Sequence, residues 1–283
     1  MLERRAFLNA AGLLGAVAVA PGLPPAFGAA GPDAAAQAVR QALATLTHDT
    51  FCGLAVFVAP GPDAYSRAQG TPRREPGAIE ARVPDFLTGA LDRYLPFPDR
   101  LAVPVMRALS RGAGSLALPE VRGRSAPAAT VRSVDRGLHG LLANDATIPL
   151  SPVVALLLNL EAVRVDPASA RGPFVSPFAR LTHARKARVF QLLEGPDATL
   201  VELFDRELPE PLRRSVSGLL KFLGGALLEL TALGSYSEWA VFDPAAKRLR
   251  GRPVGWQVSG YRPSADGWDE HRGYYQGRRE ATG

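Results

Sequence analysis

The sequence predicts an all-α protein: an irregular helical bundle followed by a long, mostly irregular C-terminal tail rich in aromatic residues and arginine. Three observations point there. Apolar residues recur at helical spacing through most of the chain up to Gly234. Capping residues open several of those stretches (Asp33, Ser151, Thr182), and Gly195 stops one. After Gly234 the pattern changes to aromatic, Gly- and Pro-rich sequence. At 283 residues, 47% hydrophobic and 21% charged, the chain is globular in composition and long enough to bury a sizeable core. No internal repeat is visible. The expected division is a signal over 1–30, a helical bundle over 31–235 and a C-terminal tail over 236–283.

The first stretch is an address. Arg4-Arg5 precedes Phe7-Leu8, then a weakly apolar run from Ala10 to Val19, then prolines and small residues. A charged start, a short apolar middle and a small-residue exit make a secretory signal. Paired arginines followed by x-Phe-Leu make it the twin-arginine type. Cleavage is expected near Gly28–Ala30. The run falls short of the roughly 20 apolar residues that a spanning helix needs. The mature protein is therefore expected to be soluble and exported, through a route that moves cargo already folded.

The bundle is read element by element. "DAAAQAVRQALATL" (33–46) is a helix capped by Asp33, and "FCGLAVFV" after it is a buried helix end or a strand. "SRAQGTPRREPG" is loop by composition. In "DFLTGALDRYL" (85–95), Phe86, Leu87, Leu91 and Leu95 share a helical face. "DRLAVPVMRALSRG" is a helix kinked by Pro104, and "AATVRSVDRGLHGLLAN" (128–144) another. "SPVVALLLNLEAVRV" is apolar nearly all round, as a central core helix is, with Ser151 as cap and Pro152 first inside. "LTHARKARVFQLLEG" (181–195) runs from Thr182 to Gly195, and "DATLVELFDREL" follows. The longest is "EPLRRSVSGLLKFLGGALLELTALG" (210–234), where Lys221 and Glu229 argue against a membrane span.

Motifs for local chemistry are scarce. "GAGSLA" (112–117) matches a dinucleotide fingerprint in letters only. A helical pattern precedes it where a strand is needed, and Pro119 follows where a helix should start. His48, His139, His183 and His271 show no metal-ligand spacing, and no cysteine cluster accompanies them. Cys52 is the single cysteine, so the chain has no internal disulfide; within an apolar run it reads as a buried, inert thiol, and no His partner can be assigned to it. His48-Asp49 and Asp269-Glu270-His271 are formal acid–base pairs, though exposed charge pairs of this kind are commoner than catalytic ones.

Net charge is +6, yet Lys186, Lys221 and Lys247 are the only lysines among 33 basic residues, which looks like coding bias as much as selection. "RRE" (73–75), "RKAR" (185–188) and "KRLRGR" (247–252) are short, mixed with acids, and read as solvated faces rather than nucleic-acid grips. The tail is richer. "DGWDEHRGYYQGRR" (266–279) packs Trp268, Tyr274 and Tyr275 among Arg272, Arg278 and Arg279.

"GRPVGWQVSGY" (251–261) resembles the G-W-x-x-x-G-[YF] segment near the C-terminus of the gluconate 2-dehydrogenase subunit 3 family. Gly255, Trp256, Gly260 and Tyr261 carry the likeness, together with Arg4 and Arg5 of the signal. It covers the two ends and the last third of the chain; residues of about 50–175 form a longer middle than that family has. The resemblance implies a small subunit without a cofactor of its own. It would bind a signal-less flavoprotein of the glucose–methanol–choline (GMC) oxidoreductase type, with a cytochrome subunit as a further partner, and carry the flavoprotein through the export channel folded. Trp256, Tyr261, Trp268, Tyr274 and Tyr275 are then the expected partner-binding residues, because large rings with few rotors dominate interface hot spots. The same rings would otherwise pack the tail onto its own bundle. Two other functions fit the sequence. One is an exported helical protein that encloses a lipid or sterol. The other is a stand-alone exported enzyme using Asp269 and His271.

Overall fold

A computed structural model describes residues 32–93, 101, 104–105, 107–109, 149–195, 198–210 and 212–262. Over these residues the protein is all-α, with one two-stranded ribbon. The signal stretch and "AATVRSVDRGLHGLLAN" lie outside them, as do eight of the fourteen residues of the Pro104 stretch; the other six, Pro104 included, are helical.

Helix α1 (Pro32–Val58) joins the two segments that the sequence left separate. "FCGLAVFV" is therefore helix and not strand, because nothing before Pro60 breaks it. Gly53 sits inside this helix for a packing reason. A Cβ there would fall 2.7 Å from the Ala179 Cα, so only glycine lets the loop before α5 press onto α1.

Helix α2 (Ala64–Gln69) corrects the expected loop. The Asp63 carboxylate accepts the Ser66 N–H at 2.8 Å and its hydroxyl at 2.6 Å, while Gly70, at φ 90°, ends the turn. Helix α3 (Val83–Arg93) begins two residues before the expected 85–95 and buries Leu87 and Leu91 as expected, while Leu95 lies outside the described residues.

Helix α4 (Leu150–Val165) is buried on nearly every side, as its apolar circumference predicts. Its cap differs from the expectation. Ser151 lies inside the helix, and its N–H and hydroxyl both go to the Asp92 carboxylate, at 2.8 and 2.9 Å. A carboxylate from the end of α3 thus meets the positive N-terminus of α4, tying two elements where a local cap would serve one.

Helix α5 (His183–Glu194) has the expected Thr182 cap and Gly195 stop. After α6 (Ala198–Asp205), the stretch expected as one long helix begins with a separate 3-10 turn, Leu212–Arg214; α7 then runs Val216–Tyr236, past Gly234.

The described part of the tail is more regular than predicted. Phe242–Asp243 (β1) pairs antiparallel with Arg248–Leu249 (β2), and "VGWQVS" forms α8 (Val254–Ser259). The reason is local. The Asp243 carboxylate accepts the N–H groups of Ala245 and Ala246, and Lys247 takes the left-handed conformation at φ 49° that closes the hairpin.

The core lies where α1, α3, α4, α5 and α7 meet. Phe51, Leu54, Leu87, Leu91, Leu158, Phe178, Leu193 and Leu227 fill it. Helices α6 and α8 pack onto α7 from outside.

Candidate functional site

Two places gather polar or aromatic side chains, one buried and one at the surface. The buried one starts from Asn159 on α4. Its amide donates to the Thr50 Oγ1 and the Ala155 carbonyl, both at 2.8 Å. Its carbonyl oxygen accepts the Ser176 hydroxyl at 2.7 Å and the Phe178 N–H at 3.0 Å. Asp49 completes the layer by accepting the Ser176 N–H at 2.6 Å and the Tyr65 hydroxyl at 2.5 Å. This network holds α1, α2, α4 and the 176–179 loop in one register. Because its hydrogen-bonding groups are turned on one another, it positions backbone rather than offering a reactive group.

His48-Asp49 is therefore not an acid–base pair: Asp49 is buried in this network while His48 is exposed. His48 instead reaches one turn along its own helix, with Nδ1 3.7 Å from Cys52 Sγ and Nε2 4.0 Å from Asp85 Oδ1. The sequence reading assigned Cys52 no histidine, although the i,i+4 spacing was visible; Asp85 was not. The arrangement does not make a nucleophile. Burial first, then the negative charges of Asp49, Asp63 and Asp85, push the thiol up to about 12, outweighing a hydrogen bond from Tyr65. Burial and Asp49 likewise keep the Tyr65 phenol protonated.

Lys186 corrects the solvated reading of "RKAR". It is 0% exposed. Its Nζ donates to the Gly53 carbonyl at 2.9 Å and Gln69 Oε1 at 2.8 Å, and lies 5.6 Å from the centre of the Phe178 ring. Desolvation lowers its pKa to about 7, against the opposing pull of Asp63 and Asp49. The folded value lies below the ordinary 10.5, so the unfolded chain holds the extra proton and stability rises with pH from about 7. Above 9.0 the retained Cys52 proton works in the opposite direction. Between those limits the folding constant is expected to climb by up to about tenfold per pH unit from this lysine. Chemical denaturation across the window should show the climb in the wild type and its flattening in Lys186→Met.

The surface site is built by the end of α7, the hairpin, α8 and one ring from α3. Phe86, Leu233, Trp239, Phe242, Leu249 and Trp256 line a solvent-open groove of about 590 Å³, with Glu238, Lys247 and Arg248 at its polar edges. Phe86 meets Trp239 edge-on at 5.4 Å, and the Arg82 guanidinium lies 5.7 Å from the Trp239 ring centre. Trp256 donates its indole N–H to Glu238 Oε1 at 2.9 Å and packs edge-on to Tyr261 at 5.5 Å. Gly255 explains how α8 gets so close: any Cβ would strike the Tyr236 backbone. Tyr236, Trp239, Phe242 and Tyr261 all remain substantially exposed.

Trp256 and Tyr261 thus sit together at one aromatic corner. Arg4, Arg5, Phe7 and Leu8, the tail residues Trp268, Tyr274 and Tyr275, the Asp269–His271 pair and "GAGSLA" lie outside the described residues. The sequence reading placed Phe86 only on a helical face, and it missed Tyr236, Trp239 and Phe242. Their signal was "SYSEWAVF" (235–242), an aromatic run directly after the longest helix. A second open groove, about 610 Å³, is lined by Ala198, Val201, Glu202, Asp205, Arg206 and Arg213 and has no aromatic wall. Both grooves are open to solvent. Among the described residues no three His, Cys, Asp or Glu side chains gather as metal ligands. No family model matches the chain, nor does any curated protein or solved structure.

Proposed function

We propose that this chain is a non-catalytic accessory subunit that binds a folded GMC-type flavoprotein and escorts it through the twin-arginine route. One observation carries the reading. Half-buried Trp256 lines an open aromatic groove and exposed Tyr261 packs against it, and the family resemblance rests on both residues. Solvent-exposed Trp, Tyr and Phe with arginine beside them are the composition of an interface hot spot awaiting its partner. The buried polar layer acts one step removed: it holds α1, on which α3 and α7, the two helices that carry the groove, both pack.

Purified from its own host, the chain should bring down a flavin-containing protein, read as flavin released on denaturation. Recovery of the chain alone under gentle conditions, with no flavin, would count against the proposal. The export half has its own test. Arg4→Lys with Arg5→Lys should hold both proteins in the cytoplasm, because the paired arginine is the feature that marks the folded route. Continued export of the double variant would assign another pathway.

A further inference from the structure

Helix α7 is 21 residues long and, by length and composition, apolar enough to cross a membrane. One side of it is packed in the bundle. Val216, Leu220, Gly224, Leu227, Thr231, Gly234 and Ser235 are buried in the bundle. The opposite side is uncovered: Leu219, Phe222, Leu233 and Tyr236 follow one another at helical spacing, with Phe222 74% and Leu233 57% exposed. Glu229 stands exposed on the same stripe. An exposed row of large apolar side chains on a bundle marks a contact surface.

The charges around the stripe identify what it contacts. Arg213 and Arg214 precede its N-terminal end, Lys221 lies on its flank, and Lys247, Arg248 and Arg252 lie beyond its C-terminal end, all exposed. Among the described residues none of these six takes part in an ion pair, whereas Arg206 and Arg250 do. The acids nearby are fewer once paired ones are set aside: Glu202 and Asp243 are paired with Arg206 and Arg250, Glu238 is engaged with Trp256, and Asp205 (in one groove with Arg213), Glu210 and Glu229 remain. Two copies of the chain pairing through α7 would bring cation-rich ends together in either orientation. An anionic lipid surface meets both ends favourably. Exposed Tyr236, at the C-terminal end of the stripe and outside the aromatic groove, is a residue type that settles at the headgroup level. We infer that the outer face of α7 rests on an anionic membrane surface, as a peripheral contact with Phe222 inserted and Arg213, Arg214 and Lys221 at the phosphates.

Phe222, Arg213 and Arg214 do not line the aromatic groove, so they separate this inference from the flavoprotein proposal. The test is sedimentation of the full chain with vesicles of phosphatidylcholine alone or mixed with phosphatidylglycerol. The wild type should pellet with the mixed vesicles, less so as salt rises. Phe222→Glu, whose side chain is solvent-facing and should not disturb folding, is expected to weaken that binding by about tenfold or more. Arg213→Gln with Arg214→Gln should cost about fivefold per cation and reduce the salt dependence. All variants are made in the same full chain, so residues 1–30 contribute equally to each.

Failure to bind mixed vesicles, equal binding to neutral ones, or unchanged binding by Phe222→Glu would overturn the inference. A concentration-dependent dimer abolished by Phe222→Glu would give the face to a second copy instead. Loss of the flavoprotein from Phe222→Glu would give it to the protein partner.

Discussion

Asn159→Ala is expected to lower stability by at least about 3 kcal/mol, a large share of what holds a domain folded. The side chain is 1% exposed and satisfies four separate groups on α1, α4 and the loop before α5. Truncation leaves the Phe178 N–H without its acceptor and strips partners from the Thr50 and Ser176 hydroxyls. Each buried group left unpaired costs roughly 1–3 kcal/mol. Asn159→Asp keeps the acceptor but loses both donated bonds and adds charge near Asp49, so it too should destabilise at neutral pH. Urea titration with an unchanged slope would measure the loss as a shift of midpoint. A loss below about 1 kcal/mol would mean that the network contributes little to holding the loop.

Most of the fold was legible because it rests on periodicity and caps. The all-circumference apolarity of α4 correctly placed it at the centre, and Thr182 and Gly195 correctly bounded α5. The errors share a physical cause: they depend on what lies across the core. Lys186 reads as solvent-facing in "RKAR", yet it is buried because Gln69 and the Gly53 carbonyl, over 110 residues away in sequence, receive it. Ser151 looks like a cap only until Asp92 supplies one from another helix. Gly53 carries no signal of its own in the sequence, since its role is set by Ala179. The helical turn after Asp63 was hidden by Gly- and Pro-rich neighbours that dominate composition. Of the surface site, Trp256 and Tyr261 were found through a motif. Phe86 and Trp239 were not, since they meet only when α3 and the post-α7 segment pack together.

The second large effect belongs to the aromatic groove. Trp239→Ala, Trp256→Ala and Tyr261→Ala together remove the wall on which a partner would dock. Truncated hot-spot rings cost about 2 kcal/mol or more each, though such losses do not simply add. A loss of only about 3 kcal/mol would already weaken the complex more than a hundredfold. The three rings face solvent in part and touch mainly one another, Phe86, Arg82 and Glu238, so the bundle should keep its core without them.

The most direct measurement is the affinity of this triple variant for the flavin-containing protein that co-purifies with the wild type, taken beside its melting temperature. The accessory-subunit account predicts that affinity falls at least about a hundredfold while the melting temperature stays within about 5 °C. Unchanged affinity of the folded fraction, with a sharply lowered melting temperature, would show that these rings pack the tail onto its own bundle and would contradict the account.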